Sequence, residues 1–373
     1  MKKIFFSSFV LFSMCVANNG NVALSSNPNW KNYLEHVQKK YNTYIKNKTN
    51  SFQNYQKLFY AYKKEIEQEW GKYAEVPSKT AFILYKKNIK EKIDFKNRKI
   101  ILLIKAKNMN NLKKKVLLGF EDIEKLSINN AIRNNKLMHL LVKKTNNNFF
   151  ITNKNQPIIG SKYIDFNKLK ITKKDKNIYQ IKLTIPKQYY LEKAKQLKPY
   201  VEKMSNKFDI PPYVIYTIIE IESAYNPLAI SPVPAYGLMQ IVPQTAGKDV
   251  LNTLYKKNYI PTPAILFNPK YNIFIGTGYL SKLYYAYFRN IKNPLSRLYI
   301  TIAAYNTGPG NIAYTFVKNN NLQKAIKKIN ELSAEEVYLF LLKNLPYKET
   351  INYVKKAKEK IILYKNALDK NLI

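Results

Sequence analysis

The chain is sparing with the side chains most often used in catalysis. It holds two histidines, His36 and His139, and one cysteine, Cys15. That scarcity argues against a Ser–His–Asp triad, a multi-thiolate zinc or iron–sulfur site, and a histidine-rich metal centre. No metal and no cofactor is expected. One carboxylate stands out instead. Asp209-Ile-Pro-Pro212 reads as a helix start, a capping residue followed by prolines, and Asn226-Pro227 as its stop. Between them, at about 100° per residue, Val214, Ile215, Ile218, Ile219 and Ile221 fall on one arc. Glu222 lies in the middle of that arc, and Glu220 points the other way. A carboxylate on an apolar face costs free energy when ionised, so its proton affinity rises. Such a group keeps its proton near neutral pH and can donate it to a leaving oxygen. The competing reading is a glutamate near a helix end that reaches water at the rim of the arc.

The residues that follow narrow the choice. Glu222-Ser-Ala-Tyr-Asn-Pro-Leu-Ala-Ile-Ser231 runs on to Ala235-Tyr-Gly-Leu-Met-Gln240-Ile-Val-Pro-Gln-Thr-Ala246. Further on come Ala304-Tyr-Asn306-Thr-Gly-Pro-Gly310 and Glu349-Thr-Ile-Asn-Tyr353-Val. In order and spacing these four motifs resemble those of the lytic transglycosylases of the soluble-lytic-transglycosylase type, which have a goose-lysozyme-like fold. The resemblance spans residues 205–360. Over residues 27–186 it rests on domain arrangement and scattered matches. Thr245-Ala-Gly-Lys-Asp-Val250, and Ile93-Asp-Phe ahead of a strand, are similar to membrane-bound members of that family.

The resemblance implies roles. Glu222 matches the family's single catalytic glutamate. Ser231 matches the serine near the substrate N-acetyl group, and Gln240 the glutamine lining the cleft. Tyr305 and Asn306 match the element beside the reactive sugar, and Glu349 and Tyr353 the helical motif that closes the back of the site. Val242 stands where many relatives have Met, and Thr307 where Ala or Gly is common. The implied substrate is the peptidoglycan glycan strand, cut between N-acetylmuramic acid and N-acetylglucosamine.

Two-carboxyl glycosidases hold their acids ~5–5.5 Å apart for retention or ~6.5–9.5 Å for inversion. Here one acid is expected to serve twice. Glu222 protonates the glycosidic oxygen while the sugar's N-acetyl carbonyl stabilises the oxocarbenium ion. The carboxylate then takes a proton from the sugar's C6 hydroxyl, which attacks C1 and leaves a 1,6-anhydro end. Asp249, on the next helix, reads as a surface or capping residue.

Plainer readings stay open for each position. Ser231 caps a turn, Gln240 is a helix-surface amide, and Asn306 only forms a turn. Tyr305 is core, as one of 31 tyrosines. Glu349 is a surface charge, and Tyr353 packs. Other functions also stay open: a hydrolytic muramidase in the same cleft, a non-catalytic wall-binding protein, or a polyanion binder.

Around the site the chain divides near residue 186. Residues 28–75 carry apolar positions at helical spacing. From Thr80 the period shortens. Ala81–Tyr85, Ile93–Phe95 and Ile100–Ile104 read as an antiparallel meander, and Glu121–Val142 as helix. Tyr179–Ile185 alternates as a strand with one face buried. The expected fold class is an α+β amino-terminal domain, 27–186, followed by an all-α lysozyme-like domain, 187–373. Of ten glycines, six lie between 237 and 310, which points to tight turns around a cleft.

The formal net charge is +39, yet only Arg98, Arg133, Arg289 and Arg297 are arginine. Base readers favour the planar arginine fork, so nucleic acid is not an expected partner. A polyanionic wall or an anionic membrane surface suits a lysine excess equally. Lys2 and Lys3 precede an apolar run, Ile4–Met14, which is short of the ~20 residues of a membrane span and fits a signal-peptide core. Residues 1–17 are read as that leader. Cys15 is the candidate lipid-attachment site, which would anchor an exported monomer on the periplasmic side of the outer membrane. The alternative is cleavage after Ala17 or Ala23, with Cys15 discarded.

Overall fold

The structure is a computed structural model that describes residues 52–143, 157–255 and 259–373. The leader and Cys15 lie outside the described residues. Residues 52–70 are helical. Tyr55, Tyr62, Ile66 and Trp70 recur at helical spacing there and are buried.

Five strands follow: β1 (Ala81–Lys86), β2 (Ile89–Asp94), β3 (Lys99–Lys105), β4 (Lys170–Asp175) and β5 (Ile178–Thr184). They form one antiparallel sheet in the order β1-β2-β3-β5-β4. Asn88 and Arg98 take up positive φ at the two tight connections of the meander. Helices Met109–Glu124, Ile128–Asn134 and Lys136–Lys143 lie between β3 and β4. Leu112, Val116 and Phe120 of the first belong to one buried cluster with Phe82, Ile93, Leu102 and Ile181 of the sheet. Residue patterning does not foretell β4. All six of its residues are exposed, so no apolar alternation marks it. Its lysines blunt the open edge of the sheet.

Pro186 follows the last residue bonded to the sheet, Ile185, whose N–H donates to the Arg98 carbonyl at 2.7 Å. From there the named elements are helical, so the expected α+β and then all-α order is what the chain adopts. The helix Pro212–Ser223 sits at the centre of this part. It packs against Tyr189–Phe208 on one side and Lys348–Asp369 on another. Its buried residues run all round it, Tyr216 and Thr217 included, not along one arc.

Both ends of this helix differ from expectation. Asp209, at φ 52°, closes the preceding helix in a left-handed turn, and Pro211 is the residue before Pro212 at the first helical position. At the other end Ala224 and Tyr225 are both left-handed, so the helix stops ahead of Asn226-Pro227. The Asn226 side-chain oxygen accepts from the Leu228 N–H at 3.0 Å and shapes the turn that follows.

The two parts of the chain share a core. One buried cluster runs from Tyr55 and Phe82 through Ile218 and Met239 to Tyr364. A second, around Leu283, Phe288, Ile300 and Leu341, sits under the later helices. Bonds to the backbone tie the parts as well. The Tyr55 hydroxyl donates to the Ser231 carbonyl at 2.7 Å, and the Tyr190 hydroxyl to the Phe95 carbonyl at 2.7 Å.

The turn at residues 237–240 depends on backbone freedom. Gly237 sits at φ 75°, and a Cβ there would lie 2.2 Å from the Leu266 carbonyl and 2.3 Å from the Asn272 amide nitrogen. Gly237→Ala is therefore expected to destabilise the protein by about 3 kcal/mol or more, through backbone strain and loss of the Asn272 hydrogen bonds. A lowered urea midpoint with an unchanged slope would register it. A midpoint equal to wild type would show that this turn relaxes freely.

Candidate active site

Glu222 lies in the last turn of Pro212–Ser223 and is 5% exposed, so it does not reach bulk water. Its partners come from three distant segments. The Lys79 ammonium is 3.8 Å from Glu222 Oε2 and 3.5 Å from Glu349 Oε1. Tyr353, buried one turn beyond Glu349, presents its hydroxyl to the same carboxyl. That hydroxyl makes no hydrogen bond of full geometry. Tyr305 is close enough that a negative Glu222 disfavours its ionisation.

Burial pushes the Glu222 carboxyl above the ordinary glutamate range, and the nearby Glu349 charge adds to that. Lys79 and the Tyr353 hydroxyl pull in the opposite direction, and burial is the largest of the four effects. Burial likewise holds Tyr305 and Tyr353 well above the usual phenol range, so both stay neutral hydroxyls. The result is a buried carboxyl with raised proton affinity beside a lysine and two phenols. Chemically it can release a proton to an oxygen and survive briefly as a carboxylate.

Glu220, two residues earlier, also has its carboxyl largely covered, but its task is structural. The Tyr364 hydroxyl donates to it, and Lys360 lies 2.5 Å from its other oxygen. Tyr225 donates to the Tyr364 hydroxyl at 2.8 Å, which completes a satisfied network on the far side of the helix.

The remaining candidates are placed as follows. The Tyr305 hydroxyl donates to the Met239 carbonyl at 2.8 Å and so fixes the residue next to Gln240. Gln240 itself is left-handed, at φ 49°. Its side-chain N–H donates to the Gly237 carbonyl at 3.0 Å, while its Oε1 is buried with no hydrogen-bond partner. Thr350, next to Glu349, donates to Asn306 Oδ1 at 2.7 Å and joins two helices. Glu222, Tyr305, Glu349 and Tyr353 thus converge, with Gln240 and Asn306 attached through these bonds. Ser231 sits in its own turn. Its hydroxyl donates to the Val233 carbonyl and accepts from the Ala235 N–H at 3.3 Å. Asp249 is paired with Lys282 at 2.6 Å.

The expectation of a solitary acid needs one correction. Glu349, the residue expected to close the back of the site, brings a second carboxylate that shares Lys79 with Glu222. It is an exposed group, with 75% of its side chain open to solvent, so its environment is unlike that of Glu222.

Two residues of this arrangement are not evident from sequence. Asn272 is fully buried; it donates to the Tyr236 and Leu266 carbonyls at 2.8 and 2.7 Å and accepts from the Met239 N–H at 2.7 Å. An amide inside the apolar run Tyr271-Asn-Ile-Phe-Ile275 is the available signal. Lys79 has none. It is one lysine among dozens, and only the fold brings it to the site.

Comparison with known proteins bears on the helical part. Residues 199–329 match the family model described as Transglycosylase SLT domain. The family indicated by the four motifs and that of the matching model agree. Membrane-bound lytic murein transglycosylase C of Actinobacillus pleuropneumoniae serotype 5b is 41% identical over 175 residues, 46% of this chain and 47% of the relative. The protein of that name from Histophilus somni is 39% identical over 178 residues, 47% of this chain and 48% of the relative. The chain thus spans about half the length of the curated relatives it matches. Among solved structures, the 70 kDa soluble lytic transglycosylase of Escherichia coli is 24% identical, covering 48% of this chain and 28% of its own, with a TM-score of 0.36. Among the described residues no helix is long and apolar enough to cross a membrane.

The buried acid has a stability signature. A carboxyl whose proton affinity is raised by folding contributes fully below the unfolded value, ~4.5. Its contribution is lost as pH climbs from there through the raised folded value. Glu222→Gln removes this dependence. The variant is expected to match wild type at pH 4 and to melt progressively higher as pH rises. The gain is about 1.4 kcal/mol for every pH unit by which folding raises the carboxyl's midpoint, and each kcal/mol is read as about 2–4 °C in Tm. A melting-temperature difference that stays flat between pH 4 and 8 would contradict the burial argument.

Proposed function

We propose that this chain is a peptidoglycan lytic transglycosylase with Glu222 as its acid and then its base. The observation that carries the reading is one buried carboxyl, its proton affinity raised by burial, faced by a lysine and phenols. Names such as lytic murein transglycosylase among the relatives, and the SLT family model, point to the same substrate class.

In this reading Glu222 donates its proton to the oxygen between N-acetylmuramic acid and N-acetylglucosamine. The leaving sugar departs with that proton. Glu222, now a carboxylate beside Lys79, accepts a proton from the C6 hydroxyl. The alkoxide oxygen bonds to C1 and the ring closes as a 1,6-anhydro sugar, with no water consumed. The half-buried Tyr305 offers a ring face suited to a sugar, while the buried Tyr353 turns its hydroxyl to Glu222. Gln240 is assigned to the lining of the cleft. Ser231 and Asn306 are assigned to the same cleft. Residues 27–186 form an accessory domain, and 187–373 the catalytic one. Export with lipid attachment at Cys15 places the enzyme beside its wall substrate, at the periplasmic face of the outer membrane.

A hydrolytic muramidase is the second reading, because Glu349 brings another carboxylate to the Lys79 cluster. Inverting hydrolysis would need that group to activate water. Its exposure and its pairing with Lys79 favour the first reading.

Product analysis on purified murein separates the two. Glu222→Gln should lower turnover at least about a hundredfold, the usual contribution of a positioned acid. Glu349→Gln should lower it by less than about tenfold, since an exposed pair contributes ~1 kcal/mol, and the products should keep anhydro ends. Reducing ends as the main product, with Glu349→Gln as inactive as Glu222→Gln, would establish hydrolysis instead. Anhydro products released by Glu222→Gln at wild-type rate would remove Glu222 from the mechanism.

A further inference from the structure

We propose that Lys79 is a positioning residue of this site: through it the sheet part of the molecule supplies the cation that steadies Glu222 between its two proton transfers. The inference rests on Glu222 acting as acid and then base.

The lysine is held in place by its backbone. It lies in the short turn before β1, where the Ser78 N–H donates to the Ala81 carbonyl at 2.9 Å and the Phe95 N–H to the Thr80 carbonyl at 2.9 Å. The same turn is pinned to the chain just beyond the glutamate helix. Asn226 Nδ2 donates to the Lys79 carbonyl at 3.2 Å across 147 residues of sequence, and the Ile230 N–H to the Ser78 carbonyl at 3.4 Å. Asn226 is fully buried. The lysine stem therefore starts from a fixed point beside the acid, unlike a lysine on a freely solvated face.

The distances suit a charge that helps without capturing. At 3.8 Å from Glu222 Oε2 the ammonium is beyond hydrogen-bond reach, and it is divided between Glu222 and Glu349. A short, exclusive pair would hold Glu222 ionised and spoil it as an acid. No cation at all would leave a bare carboxylate in a dry site after the first step, and such a charge is costly. The titratable groups facing Glu222 are Lys79 from the turn before β1, Glu349 and Tyr353 from the last helix, and Tyr305 from helix Pro294–Thr307. Lys79 and Tyr353 favour the ionised form, whereas burial and Glu349 oppose it. Of these groups, Lys79 is the only positive charge. The link also gives the amino-terminal part a task in the chemistry, since removing it would remove the cation.

The test uses the full chain with Lys79→Met and Lys79→Arg. Two readouts apply: the pH profile of strand turnover, and the titration of the Glu222 carboxyl followed by carbon-13 NMR without substrate. Activity through a protonated acid falls as pH rises past its midpoint. Loss of the cation should raise that midpoint by about one pH unit and carry the high-pH limb of kcat/KM upward by the same amount. On the low-pH plateau, kcat should fall about tenfold with KM little changed, because the carboxylate needed for ring closure is less stable. Lys79→Arg should restore both limb and rate. An unmoved carboxyl titration in Lys79→Met overturns the proposal. So does a rise in KM alone, confined to strands bearing stem peptides, which would make Lys79 a substrate anchor. Glu222→Gln serves as the control for the underlying reading. If that variant stays active, the mechanism fails, while the NMR titration still reports the Lys79–Glu222 coupling independently.

Discussion

A carboxyl group kept out of water is the constraint that organises this molecule. Glu222 sits on a helix buried on all sides, and its burial is the largest influence on its proton. Burying a charge is tolerable only if the charge is neutralised or shared. Here burial favours the protonated form, while Lys79 and Tyr353 favour the ionised one. Glu220 shows the contrasting solution on the same helix. Each of its oxygens has a partner, Tyr364 on one and Lys360 on the other.

The walls around the acid are held by a few buried polar bonds instead of a regular sheet or bundle. Asn272 grips the 236–239 turn at two points and ties it to the Leu266 carbonyl, and Tyr305 holds the Met239 carbonyl. Thr350 and Asn306 clamp the last helix to its neighbour. Left-handed backbone at Ala224, Tyr225 and Gln240 clusters in the same region. Such conformations persist where the surroundings over-determine them, and they leave polar edges such as Gln240 Oε1 unpaired. The glycine cluster serves the same close packing. Gly237 lets the backbone approach the Leu266 carbonyl, and Gly276 gives the Met239 side chain room to bury itself.

The sheet part is more than an appendage in physical terms. One apolar core continues through both parts of the chain, so neither buries its surface alone. Hydrogen bonds between the parts reach the turns on which the site is built, from Tyr55 to the Ser231 carbonyl and from Asn226 to the Lys79 carbonyl. Lysines on exposed faces such as β4 do no more than keep an edge soluble.

The local pattern of residues is enough for the meander in outline, although β2 runs from Ile89 to Asp94 where the pattern marks Ile93–Phe95, and for the alternating strand β5, the helical second part, and the placing of Glu222 on an apolar helix. Each follows from a period of about 2 or 3.6 residues, which a chain writes into its own neighbours. Motif order points to the family whose model matches residues 199–329 and nominates the candidates Ser231, Gln240, Tyr305, Asn306, Glu349 and Tyr353. Patterning fails where no periodicity exists, as in the exposed β4, and where a residue near a turn serves the element before it, as Asp209 does. The tertiary structure alone decided which groups meet across long stretches of chain. It placed Lys79 between Glu222 and Glu349, made Asn272 the hub of a turn, and engaged the Ser231 hydroxyl within its own loop. Electrostatics in a dry site depends on a few ångströms, and distances between residues far apart in the chain are set by packing.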